Sequence, residues 1–174
     1  MMRFYNLVLI SLFSALIVIC AWISVPFLGV PFTMQTFGVF LAVSVLGPRR
    51  GTVSVGLYIL LGLVGLPVFH SFQGGLGALM GSTGGFIIGL LISAPVIGLL
   101  NGYNQKSFMK TVAALSLGQI IVYITGVLWF LFVYAGDKSL VATLLTTVVP
   151  FLLTDALKIF AVAIISKRIA KYVK

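Results

Sequence analysis

Long, nearly continuous apolar runs make up most of the chain, and short polar or basic stretches separate them. Runs of this kind are typical of bilayer-spanning helices rather than of strands or amphipathic surface helices. The pattern predicts an all-α integral membrane protein, a single domain over residues 1–174 built as a bundle of six transmembrane helices. The expected helices cover residues 4–24, 33–47, 51–66, 84–101, 110–135 and 140–168, the last interrupted near Pro150.

Two uncharged segments break this pattern, one at residues 25–36 and one at residues 67–85. Pro26, Gly29 and Pro31 prevent a continuous helix in the first segment. The second segment is rich in glycine, which permits tight turns and close approach to a ligand. Non-helical backbone at membrane depth is tolerated only where it is buried in protein or lines a cavity. Both segments are therefore expected to be capping or re-entrant loops, and the first is expected to act as a lid hinged at Gly29.

Composition and charge agree with a membrane protein. The chain is 61% hydrophobic and only 7% charged, whereas soluble domains carry about a quarter charged residues. A net charge of +9 would suggest nucleic acid in a soluble protein, but here topology explains it better. With six spans, almost all basic residues fall on the side of the two termini, namely Arg3, Arg49, Arg50, Lys106, Lys110, Lys167, Arg168, Lys171 and Lys174. This bias predicts cytoplasmic termini and places both loops outside the cell.

Asp155 and Lys158 are the charged residues inside the last apolar run. Each ionised side chain at the centre of a spanning helix costs about 2.5–3.5 kcal/mol. Three residues apart on a helix, the two side chains share a face and can neutralise one another. One interpretation is a structural ion pair that ties this helix to its neighbours. The other is a polar binding position inside an apolar bundle, which offers an acceptor beside a donor.

Other kinds of site find little support in the sequence. The glycine-rich segment lacks the Gly-Lys-Ser/Thr of a phosphate-binding loop, so the chain is not expected to hydrolyse ATP. His70 is the sole histidine and is interpreted as an incidental loop residue, and Cys20 is the sole cysteine, so neither a catalytic triad nor a metal cluster is expected. An enzyme is disfavoured and no cofactor is expected. Polar residues instead gather on the side of the two loops, which suits capture of a small, mostly apolar molecule: Thr33, Gln35, Thr36, Ser82, Thr83, Tyr123, Asp155 and Lys158.

Several ordered motifs resemble the BioY family, the biotin-specific substrate-binding components of energy-coupling-factor vitamin transporters. They are Pro31-Phe32-Thr33-Met34-Gln35-Thr36, Gly65-Leu66-Pro67-Val68-Phe69 leading into Gly74-Gly75-Leu76-Gly77, Gly81-Ser82-Thr83-Gly84-Gly85-Phe86, Tyr123 with Trp129, and Asp155-Ala156-Leu157-Lys158. Two features depart from the family pattern. Ser82 stands where the family usually has proline, and the first helix lacks a clean Ala-x-x-x-Ala docking motif, for which Ser11 and Ala15 are the nearest substitute.

The resemblance implies a vitamin-binding subunit of a prokaryotic cytoplasmic membrane, which imports biotin together with a transmembrane coupling protein and two ABC-type ATPase subunits. The alternative function is a solitary biotin carrier that needs no ATPase, and a third possibility is a structural subunit without a ligand. No nucleic acid is expected as a partner.

The resemblance also suggests how biotin is recognised. Asp155 is expected to accept a ureido N–H and Lys158 to meet the ureido carbonyl, with Gln35 or Tyr123 completing the enclosure. The carboxylate would then lie near the outer mouth, held by backbone N–H groups of the glycine-rich loop around Ser82 and Thr83. Thr33 and Gly75 are also expected among the substrate-binding residues. The rival assignment gives Lys158 to the carboxylate, with Asp155 balancing its charge.

Overall fold

The structure is a computed structural model that describes residues 2–26, 30–102, 107–134 and 139–172. These residues are mostly helical, and their elements follow in the order α1 (Met2–Trp22), β1 (Ser24–Val25), β2 (Phe32–Thr33), α2 (Gln35–Leu63), a 3₁₀ turn (His70–Phe72), α3 (Leu76–Met80), α4 (Gly84–Asn101), α5 (Phe108–Trp129), a π-helical turn (Phe130–Tyr134), α6 (Leu140–Thr147), a second 3₁₀ turn (Val149–Phe151) and α7 (Leu152–Ile169). The all-helical expectation is confirmed apart from the two short strands.

Helix α2 is a hairpin of two helical halves. Gly47 has a φ of 80°, a conformation that glycine adopts readily, and Pro48 follows it. Beyond this break the chain folds back, since a Cβ on Gly51 would lie 2.6 Å from the Cα of Val43. The predicted turn between the second and third helices is therefore confirmed. Each half is shorter than the ~20 residues that a straight span needs.

Four other stretches are long and apolar enough to cross a membrane: Phe4–Trp22, Gly84–Asn101, Phe108–Tyr134 and Leu140–Ile169. The last of them is interrupted as the sequence predicts. Helix α6 ends at Thr147 and α7 begins at Leu152, with Pro150 in the 3₁₀ turn between them. Proline lacks the N–H that would continue the helical ladder, so the axis is broken at this point.

Helices α4 and α5 pack closely through glycine. A Cβ on Gly85 would lie 2.6 Å from the carbonyl oxygen of Thr125, and one on Gly89 would lie 2.9 Å from the Cα of Val122. Ser93 continues the same face and is fully buried. Small residues at intervals of four on one helix face allow such an approach.

Contacts of α1 show which ends of the bundle lie together. Near its start, Arg50 Nη1 donates to Asn6 Oδ1 at 3.2 Å, and at its end Trp22 Nε1 donates to the carbonyl oxygen of Pro67 at 2.8 Å. The basic turn at Gly47 therefore lies at the end of the bundle opposite the two loops. This separation of basic residues from loops matches the sequence-based expectation.

The first loop contains a small hairpin that the sequence did not predict. Strands β1 and β2 pair antiparallel, with Ser24 opposite Thr33 and Val25 opposite Phe32. The pairing is too short to leave an alternating pattern in the sequence. The expected hinge at Gly29 lies outside the described residues. In the second loop, α3 and the 3₁₀ turn replace the irregular chain that the glycines suggested.

Candidate functional site

Asp155 and Lys158 form a buried ion pair in the first turns of α7. Lys158 Nζ donates to Asp155 Oδ1 at 2.8 Å, and each side chain is only 8% exposed. The proline break before α7 sets where this helix begins, and the spacing of three residues then places both groups on one face. The juxtaposition inferred from the sequence is confirmed.

Helix α5 binds the other oxygen of the carboxylate. Gln119 Nε2 donates to Asp155 Oδ2 at 2.9 Å, and the Tyr123 hydroxyl donates to the same oxygen at 2.6 Å. The spacing of four residues puts Gln119 and Tyr123 on one face of α5. Asp155 thus accepts three hydrogen bonds inside the bundle, one from Lys158 and two from α5.

The first loop supplies the remaining partners of the ammonium group. Lys158 Nζ donates to the carbonyl oxygen of Thr33 at 2.6 Å and to Thr36 Oγ1 at 3.3 Å. It also lies 4.3 Å from the centroid of the Phe32 ring, a favourable cation–π arrangement. An ammonium has three N–H donors, and the protein already uses all of them. Any ligand atom that binds Lys158 must replace one of these contacts.

Two buried amide atoms near the pair have no hydrogen-bond partner among the described residues: Gln35 Nε2 and Gln119 Oε1. The donation from Gln119 Nε2 to Asp155 fixes which end of that amide is the oxygen. A buried polar atom without a partner is costly to maintain. These two atoms therefore offer a donor and an acceptor to a ligand beside the ion pair.

The groups described above share a cavity that contains about 550 Å³ of empty space, part of it open to the outside. The cavity is lined by both loops, by α2, α4, α5, α6 and α7 and by the second 3₁₀ turn, through Val30, Pro31, Thr33, Gln35, Thr36, His70, Thr83, Phe86, Ile87, Leu90, Gln119, Val122, Tyr123, Thr147, Phe151, Asp155 and Lys158. Most of the surface that this lining presents is apolar, and ten of the seventeen residues carry a polar side chain.

Six of the expected site residues line this cavity: Thr33, Gln35, Thr83, Tyr123, Asp155 and Lys158. Gly75 and Ser82 are not among the lining residues. Gly75, with a φ of 83°, precedes α3 and donates its N–H to the carbonyl oxygen of Gly62 at 2.7 Å. The structure thus shows a role for Gly75 in shaping the loop, while the expectation that it touches a ligand stays a prediction, as it does for Ser82.

Sequence reasoning did not assign Gln119 or His70 to the site. Gln119 could have been assigned from its spacing, because it lies four residues before Tyr123 and therefore on the same helix face. For His70 there was no such signal, because its position depends on the 3₁₀ turn at Ser71 and Phe72, where φ is 52° and 58°. This left-handed backbone is rare in residues other than glycine, and it could not be predicted from the sequence.

His70 and Thr83 form a second polar group in the cavity. His70 Nε2 lies 3.1 Å from Thr83 Oγ1. Its Nδ1 is buried without a hydrogen-bond partner among the described residues. Burial lowers the pKa of the imidazole below its usual range, because the charged form is desolvated. Burial therefore favours the neutral form of the ring.

Comparisons with known proteins agree with the family resemblance found in the sequence. Residues 1–174 match the model of the BioY family. The chain is 42% identical to the biotin transporter BioY of Thermotoga maritima, over 95% of this chain and 96% of that protein. It is 35% identical to the probable biotin transporter BioY of Pyrococcus horikoshii, over 92% and 93% of the two chains. Among solved structures, it resembles the crystal structure of the S-component for biotin from an ECF-type ABC transporter, with a TM-score of 0.88, 28% identity, and coverage of 98% of this chain and 93% of the other.

Proposed function

This chain belongs to the BioY family, and from that premise we propose that it binds biotin from outside the cell and serves its import as the substrate-specific subunit of an ATP-driven transporter. It is a multi-pass membrane protein of a transporter family. The observation that carries the proposal is the buried ion pair of Asp155 and Lys158, which opens into a largely apolar cavity. Biotin has matching chemistry, with a polar ureido head, an apolar ring and an aliphatic chain.

The arrangement of donors and acceptors fits the ureido head. Asp155 accepts three hydrogen bonds, and a carboxylate offers about four acceptor positions, so one ureido N–H can still be accepted. Gln119 Oε1 is available for the second N–H. The ureido carbonyl would accept a hydrogen bond from Lys158 Nζ, which would give up its longest contact, the one to Thr36. Alternatively, the carbonyl would accept from Gln35 Nε2. We therefore keep the head at the ion pair and the carboxylate towards the mouth.

The decisive measurement is the affinity of the purified protein for biotin and for its carboxamide. We expect Lys158→Ala to weaken both ligands by similar factors of about 10 to 100, the loss of one charge-assisted hydrogen bond. Lys167→Ala, which removes an exposed lysine from the same helix, is the matched control and should change neither. A large loss for the acid with little loss for the amide would assign Lys158 to the carboxylate. Tight binding of biotin without partners would exclude a purely structural subunit.

We also propose six membrane crossings, formed by α1, the two halves of α2, α4, α5 and the α6–α7 pair, in a prokaryotic cytoplasmic membrane. Both termini would be cytoplasmic and both loops outside. The support is the separation of the basic turn at Arg49 and Arg50 from the two loops at opposite ends of the bundle. The positive-inside rule then assigns the basic end to the cytoplasm and the loop end to the outside.

Labelling of single cysteines in intact cells tests this orientation. Cys20 is buried and can be replaced by alanine to give a clean background. Val25 is exposed at the loop end, and Arg49 is exposed at the basic end. We expect a cysteine at Val25 to react with an impermeant thiol reagent and one at Arg49 to react only after the cells are opened. The reverse pattern would invert the topology.

The partners we propose are a transmembrane coupling protein and two ABC-type ATPase subunits. The sequence contains a candidate binding site but no phosphate-binding motif, so uphill import requires an ATPase from elsewhere. Uptake of biotin in cells that lack the coupling protein separates this proposal from a solitary carrier. Loss of uptake there, with binding retained, supports the partnered form.

A further inference from the structure

The cavity holds its two polar groups at separate positions. Asp155, Lys158, Gln119 and Tyr123 form one network, and His70 with Thr83 forms the other. Both networks line the same cavity, but among the described residues no hydrogen bond joins them. The second position therefore needs a function of its own.

The ion pair is a poor place for an acidic group of a ligand. The three N–H donors of Lys158 are occupied by Asp155, Thr33 and Thr36. A carboxylate that displaced Thr36 would lie close to the carboxylate of Asp155, and like charges at such a distance in a buried site repel strongly. The acid end of the ligand needs a different donor.

His70 is the other residue of the described lining that can carry a positive charge. We propose that His70 binds the carboxylate of the transported acid through Nδ1–H, while Thr83 holds the ring from the opposite side. This inference rests on the proposed function, because it requires a ligand with an ionised acid end. It replaces the backbone N–H groups around Ser82 as the expected carboxylate partner.

The hydrogen bonding of His70 is consistent with this role. If the Thr83 hydroxyl donates to Nε2, across the 3.1 Å that separates them, the single ring proton of neutral imidazole lies on Nδ1. That nitrogen is buried and has no partner among the described residues. A bound carboxylate would accept this proton and satisfy the atom.

The same contact couples ligand binding to proton uptake. In the empty protein burial holds the pKa of His70 below its usual range, and a bound carboxylate raises it, since an opposite charge favours the protonated ring. The affinity for the acid is then constant at pH values above the His70 pKa of the bound protein. It increases as the pH falls from that value towards the His70 pKa of the protein without ligand. Asp155, Lys158 and Tyr123 are the other titratable groups of the described lining, and Asp155 and Lys158 neutralise each other. Helices α3 and α4, which follow His70 in the chain, carry no titratable side chain.

The test measures binding of biotin and of biotin carboxamide to the purified full chain from pH 8 to pH 6. We expect biotin to bind about three- to eightfold more tightly at pH 6 than at pH 8, because a one-unit rise in the His70 pKa gives its full tenfold effect only below both pKa values, and the amide to show no such dependence. His70→Gln keeps size and polarity but cannot become charged. It should abolish the pH dependence and weaken biotin by about the same factor at pH 6, while leaving the amide within twofold. Gln73→Ala, an exposed neighbour in the same loop, is the control.

Two results of the binding test overturn the inference. One is a pH dependence for the amide equal to that for the acid, and the other is an unchanged pH dependence in His70→Gln. If the wild-type protein binds neither ligand, the proposed function itself is refuted, and that failure is distinct from the first two. Should His70→Gln not fold, calorimetry of the wild type in two buffers of different ionisation enthalpy decides instead. Proton uptake with the acid alone supports His70, and no uptake overturns it.

Discussion

Asp155→Asn is expected to weaken biotin binding about 100-fold or more and to destabilise the protein. The carboxylate accepts hydrogen bonds from Lys158, Gln119 and Tyr123. An amide in its place leaves the ammonium of Lys158 buried without a counter-charge, and breaking a buried pair in this way costs about 3–5 kcal/mol. Calorimetry with biotin and thermal unfolding in detergent measure the two effects.

A double-mutant cycle separates binding from stability. Lys158→Met removes the other charge with little change in length, and the double variant Asp155→Asn/Lys158→Met leaves no unpaired charge. Replacing both members of a buried pair is often nearly neutral for stability. We expect the double variant to recover most of the unfolding temperature but not the affinity for biotin. Wild-type affinity in the double variant would show that the pair is structural and that biotin binds elsewhere.

Ser11→Trp and Ala15→Trp are expected to abolish biotin uptake while leaving binding to the isolated subunit within about twofold. Both residues are exposed on α1, four positions apart on one face, whereas Ser14 and Ile17 of the same helix are buried. Small residues at this spacing allow another helix to approach closely, and a tryptophan would hold it away. Since the face does not line the cavity, binding should survive.

Uptake by cells that express the coupling protein and ATPases, and calorimetry on the purified subunit, give the two readouts. Ile92→Trp is the matched control. Ile92 is 47% exposed on α4, so this variant also places a tryptophan at an exposed position, but on a different helix. Uptake that survives both α1 substitutions would place the docking face elsewhere. Loss of biotin binding together with uptake would mean that α1 supports the fold of the site.

The sequence alone determined the long helices of this protein and the pair at the centre of its candidate site. Apolar runs long enough to span a bilayer have few alternatives to helix, because lipid cannot satisfy backbone polar groups. The breaks at Gly47-Pro48 and Pro150 are local consequences of residue chemistry, and so is the shared face of Asp155 and Lys158.

Only the tertiary structure decided what surrounds that pair. The contact of Lys158 with Thr33 joins residues 125 positions apart, and that of Gln119 with Asp155 joins residues 36 apart. Such contacts depend on how helices and loops are set against one another, which periodicity within one segment does not encode. His70 shows this most clearly, since left-handed backbone at the following two residues accompanies its place in the cavity lining. Gly75 likewise has a role that the sequence did not indicate, because the fold uses this residue to turn the chain into α3.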